Sequence, residues 1–171
     1  MEPCAFGKKL TIAVLVTVFN LVAPPAYPDA GGLEGFVGRW NVRLKALQPQ
    51  RSEITYTETY EWVLDGKFLR GQTGRKPDGT QDVYYATYDE NANGYPFWIF
   101  SSSGAYTYLA PGIWNARTRT MEWTNPSGLD ISYRSLCKFP DLDTRRCTLI
   151  VKDWKGAVLS ELEWSATRRR D

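Results

Sequence analysis

Glu58, Asp89 and Glu122 are the side chains whose type and setting could do acid–base chemistry. A desolvated carboxyl group can work as a general acid or base near neutral pH. Histidine is absent from all 171 residues. That removes Ser-His-Asp and Cys-His catalysis, the usual zinc and copper sites and a His-ligated haem. Neither G-x-x-x-x-G-K-[ST] nor G-x-G-x-x-G occurs, so there is no nucleotide fingerprint. No nucleophile, metal-ligand set or oxyanion device accompanies the three carboxylates. The chain reads as a non-enzyme with no cofactor and no metal.

Glu58 stands out because of its neighbours. From Glu53 to Leu64 the even positions are Ile54, Tyr56, Glu58, Tyr60, Trp62 and Leu64, and the odd ones are mostly Thr and Glu. Period two with one apolar face is a strand packing that face inward, so Glu58 is a carboxylate in mid-strand on a core face. An uncompensated buried charge is costly. Glu58 should find an inward structural partner, such as an arginine, Thr73 or a tyrosine hydroxyl, or be protonated, or meet the polar group of a ligand.

The elements that would position it follow from turn residues at near-regular intervals. Asp65-Gly66, Pro77-Asp78-Gly79, Asn91 to Gly94, Asn115 to Arg117, Asn125 to Gly128, Pro140 to Asp143 and Lys155-Gly156 cut the region between Trp40 and Trp164 into short segments. Such a cadence predicts an all-β fold, a sandwich or barrel. A two-residue turn at Asp65-Gly66 sets Trp62 opposite Leu69, Tyr60 opposite Gly71 and Glu58 opposite Thr73, with Glu61 facing Arg70 outside. Gly71 then leaves space inside the barrel opposite Tyr60. Lys155-Gly156 likewise sets Leu162 opposite Leu149, Trp164 opposite Cys147 and Tyr133 opposite Val151. Trp40, Val42 and Leu44 face inward, as do Met121 and Trp123, and the last inward face runs through Ala166 to Arg168. Tyr95 to Ser101 is apolar on both faces, and its direction is not readable.

The N-terminus has the pattern of a secretory signal peptide: Lys8 and Lys9, an apolar run from Leu10 to Val22, then Ala23 before Pro24-Pro25. The run is too short to span a bilayer comfortably. Cleavage after Ala23 makes 1–23 the signal peptide, 24–32 a flexible lead and 33–171 one domain, with no stable membrane insertion afterwards. Removing 23 of 171 residues leaves 148, enough for a single core. The mature chain carries 19 basic and 18 acidic side chains, a balance that argues against nucleic acid as a partner. Cys137 and Cys147 flank the Pro140–Asp143 turn symmetrically, and an exported hairpin would join them as a disulfide. Localisation is therefore expected to be periplasmic or extracellular.

Gly38-Arg39-Trp40, after the lead-in Leu33-Glu34-Gly35-Phe36-Val37, resembles the G-x-W that opens the first strand of lipocalin-like (calycin) barrels. The wider pattern resembles an uncharacterised bacterial lipocalin-like family, domain of unknown function fifteen-seventy-nine. The matching stretches are Leu33 to Trp40, Val63 to Leu69, Thr87-Tyr88-Asp89 and Trp164 to Arg168. The resemblance covers about Leu33 to Arg170. It implies a single antiparallel up-and-down barrel of about ten strands, with Arg168 packed across Trp40 as a structural pair. It implies no particular activity. Related haem-binding ten-stranded barrels use a histidine ligand, which this chain lacks.

Three functions fit these features. The leading one is an exported barrel that holds a small apolar or amphipathic molecule in a cavity lined by Tyr56, Glu58, Tyr60, Trp62 and Trp123, with Glu58 as polar anchor. The second is a surface or assembly role for Tyr84, Tyr106, Tyr108 and Trp154. The third is a carboxylate-dependent enzyme. Nothing in the sequence sets the oligomeric state.

Overall fold

Asp65 and Gly66 both adopt positive φ, 57° and 80°, and the Lys67 amide donates to the Leu64 carbonyl at 3.2 Å. This is the tight reversal that right-twisted strands favour. A reversal of the chain links each strand to the next. In the computed structural model, which describes residues 31–125 and 128–170, one short helix is followed by ten strands. The helix is α1 (Gly31–Glu34). The strands are β1 (Gly38–Gln48), β2 (Ser52–Val63), β3 (Phe68–Thr73), β4 (Asp82–Ala86), β5 (Tyr95–Ser101), β6 (Tyr106–Asn115), β7 (Thr120–Thr124), β8 (Ile131–Lys138), β9 (Thr144–Asp153) and β10 (Val158–Arg168).

Each strand pairs antiparallel with the next, and β10 returns to β1, so the sheet is a closed ten-stranded up-and-down barrel. The expected signal peptide, 1–23, lies outside the described residues. The expected lead, 24–32, enters them only at Gly31 and Gly32, which belong to α1; Gly32 is buried. Residues 126 and 127 of the Asn125–Gly128 turn also lie outside. Among the described residues no helix is long and apolar enough to cross a membrane.

The β2–β3 register is Glu58 opposite Thr73, Tyr60 opposite Gly71, Glu61 opposite Arg70 and Trp62 opposite Leu69. Leu162 faces Leu149 and Trp164 faces Cys147, while Tyr133 faces Val151. Cys137 and Cys147 are direct cross-strand partners on β8 and β9 and form a disulfide, with Cα atoms 4.1 Å apart. Both are buried, so the bond pins two neighbouring strands from inside.

One rim is plugged. The α1 turn brings down Leu33 and Phe36, 0% and 3% exposed, and the Trp40 indole N–H donates to the Phe36 carbonyl at 2.7 Å. Trp40 and Arg168 are register partners across the β1–β10 seam. The Arg168 guanidinium carbon lies 4.3 Å from the Trp40 ring centre, within cation–π range. Arg168 also donates to the carbonyls of Val37 and Leu142, tying the lead-in and the β8–β9 turn to the last strand. Phe139 packs edge-on against Phe36, ring centres 5.0 Å apart.

Candidate functional site

Above that plug the barrel interior holds a half-open cavity of about 280 Å³. Every strand except β3 contributes to its wall, because alternate residues of each face inward. Tyr56, Glu58 and Tyr60 stand on it at two-residue steps along β2, and Trp123 of β7 faces them across the interior. Tyr84, Phe97 and Trp164 add further aromatic surface.

The polar floor is an ion pair. Glu58, 4% exposed, accepts a hydrogen bond from Arg145 Nη2. Arg145 comes from β9 and is itself buried. Its register partner is Ala166, small enough to leave room for the long side chain. The guanidinium is ringed by aromatic faces, 4.8 Å from the Phe36 centre, 5.3 Å from Trp40 and 5.4 Å from Tyr60. Burial alone would lower the Arg145 pKa, but the Glu58 carboxylate, with help from Tyr60, reverses this and raises it. Arg145 is a permanent cation here. Its Nε and Nη1 have no hydrogen-bond partner among the described residues. A second pair, Lys76 with Asp82, lines the cavity toward the opposite rim, and the Asp82 amide donates to Thr73 Oγ1 at 2.8 Å.

Burial raises the pKa of Tyr56, Tyr60 and Tyr84, and the Glu58 charge adds to it. All three are neutral phenols. Tyr60 and Tyr84 stack with ring centres 5.8 Å apart, directly over Gly71. The space that Gly71 was expected to leave open is therefore filled by rings: a Cβ there would meet the Tyr60 ring and come within 2.9 Å of Tyr84. Gly71→Ala should push the stack into the cavity and cost about 1–3 kcal/mol, read as a lower urea midpoint. A neutral effect would mean that the rings move aside freely.

Four of the five expected cavity residues, Tyr56, Glu58, Tyr60 and Trp123, line one space. Trp62 does not. It sits at the α1 rim, where its indole N–H donates to Glu34 at 2.9 Å, because the plug occupies the interior at that level. Glu58 does not stand free as an anchor, since Arg145 holds it. Tyr84, expected on the surface, is buried and lines the cavity. The other two carboxylates lie elsewhere. Glu122 faces outward and accepts from Arg134 at 2.5 Å. Asp89 caps its own turn, accepting from the Asn91 amide at 2.9 Å. The three carboxylates therefore lie on three different surfaces.

Arg145 is the residue that sequence reasoning missed. It reads as half of an Arg-Arg pair beside a turn, but it shares parity with inward Cys147, and that was the available signal.

No family model and no curated protein matches the chain. Solved structures do. A protein of M. tuberculosis, Rv2717c, superposes with a TM-score of 0.61 over 84% of this chain and 98% of its own, at 18% identity. The likeness is one of fold. An S-type phycobiliprotein lyase, CPES, from Guillardia theta covers 86% of this chain and 99% of its own at 15% identity, with a looser TM-score of 0.46.

Proposed function

We propose that this protein is an exported, lipocalin-like binding barrel that holds a small, mostly apolar molecule in its interior and catalyses nothing. The observation that carries the reading is the unfilled space of about 280 Å³ bounded by aromatic side chains and floored by a buried ion pair. Apolar pockets with a few fixed polar groups are the usual form of small-molecule sites. The scattered carboxylates favour binding over catalysis. The buried disulfide fits an oxidising compartment, and G-x-W with the Trp40–Arg168 stack fits the lipocalin-like family.

A second reading has its own observation. Trp98 and Tyr108 lie side by side on the outer wall, ring centres 5.5 Å apart, and Tyr106 beside them is 78% exposed. Such a patch suits contact with another protein.

Native mass spectrometry of the protein purified from its own host separates the two. A one-to-one adduct of a few hundred daltons or less, released on denaturation, supports interior binding. An adduct-free oligomer supports the surface role and counts against the cavity. In parallel, naphthalene should quench Trp123 fluorescence with a Kd in roughly the micromolar range.

A further inference from the structure

Resting on the interior-binding reading, we infer that the ligand is an electrically neutral molecule of one or two rings that presents a carbonyl-type oxygen to Arg145. Charge bookkeeping excludes the alternatives. Four charged side chains line the cavity: Glu58 and Asp82 against Arg145 and Lys76. Both cations are already paired, Arg145 with Glu58 and Lys76 with Asp82, so the interior sums to zero. A ligand carboxylate would add a negative charge with no free cation to meet it. An ammonium would add a positive charge with no free carboxylate. Either would be desolvated without compensation.

What the floor lacks is an acceptor. Arg145 Nε and Nη1 are buried donors without partners among the described residues. A buried donor left unmade is expensive, and a neutral oxygen satisfies it without disturbing the charge balance. The Tyr60 phenol interacts with the Arg145 guanidinium and the Tyr56 phenol with Glu58, yet neither makes a hydrogen bond to Nε or Nη1. Size sets the rest. A dry cavity of ~150 Å³ accepts benzene, and this one, at about 280 Å³, has room for a second ring or an equivalent short chain.

Four probes of one shape test the inference by calorimetry on the intact protein: naphthalene, methyl naphthyl ketone, naphthoate and naphthylmethylammonium. The ketone should bind about tenfold or more tightly than naphthalene, and both ions should bind more weakly than naphthalene. Equal affinity for ketone and hydrocarbon, or tighter binding of naphthoate than of the ketone, overturns the inference while leaving interior binding standing. Failure of all four probes to bind overturns interior binding itself. In the double variant Glu58→Gln with Arg145→Met, which leaves no unpaired charge, the ketone-to-naphthalene affinity ratio should fall to about one. Thermal melting confirms that this variant is folded. A ratio that stays near ten in the folded variant places the acceptor site elsewhere and overturns the assignment to Arg145.

Discussion

Replacing Glu58 by alanine should destabilise the barrel by about 3–5 kcal/mol. The cost comes from what remains. Arg145 is 1% exposed, cannot shed its proton, and would be left as an uncompensated cation inside an aromatic cage. For a domain of this size that loss lowers the melting temperature by roughly 10 °C or more. Adding Arg145→Met to the same chain should recover most of it, because a well-packed apolar pair often matches a buried ion pair. Surface pairs give the contrast. Arg43 and Glu53 are joined at 2.6 Å but stand in solvent, so Glu53→Ala should leave the melting temperature almost unchanged. Equal losses from Glu58→Ala and Glu53→Ala would show that the interior pair is hydrated.

Alkaline pH should unfold this protein abruptly. Tyr56, Tyr60 and Tyr84 have folded pKa values raised above their ordinary value near 10, chiefly by burial. In the unfolded chain the same phenols ionise normally. Below about pH 10 both states hold these protons, and the neutral phenols' contribution is fully present. Above it the unfolded state loses three protons that the folded state keeps, so stability falls as pH rises. With three groups the slope approaches about 4 kcal/mol per pH unit. Urea midpoints measured at successive pH values should show this fall, and three of the ten tyrosines should give no phenolate absorbance until the fold is lost. Smooth titration of all the phenols in a folded protein would contradict the burial of these rings.

The architecture was legible where local chemistry decides it. Asp65-Gly66 determines a register that carries Tyr60 to Gly71, and a period-two face needs no distant information. The second hairpin is subtler. Val158 pairs with Lys152, one residue off the simple count, and an irregularity before Ser160 restores Leu162 to Leu149. Two compensating shifts left the expected partners in place. Strand β5 was unreadable for a physical reason. Phe97 and Ile99 line the cavity while Trp98 and Phe100 cover the outer wall, so no polar face marks the outside.

The site was legible only by half. Tyr56, Glu58 and Tyr60 follow from alternation, but the partner of Glu58 is 87 residues away in the chain. Nothing periodic connects β2 with β9, which is separated from β2 in the sheet by β1 and β10. Trp62 obeys the same alternation yet misses the cavity, because α1 and Phe36 fill that level. Parity tells which way a side chain points and is silent about what already occupies the space.

The β1–β10 seam has a consequence for how the molecule is made. Nine of the ten pairings join strands consecutive in sequence, and the tenth joins the first strand to the last. A chain emerging from its N-terminus can zip each hairpin as it appears, yet one side of β1 has no partner until the whole of β10 has been delivered. Closing contacts between such distant segments are intrinsically slow. During that wait β1 is an open template for any passing strand. Its outward residues are Arg39, Asn41, Arg43 and Lys45, and charge on an unpaired strand deters such pairing. The basic stripe on the first strand thus acts before the native state exists: it guards the seam until its own last strand arrives.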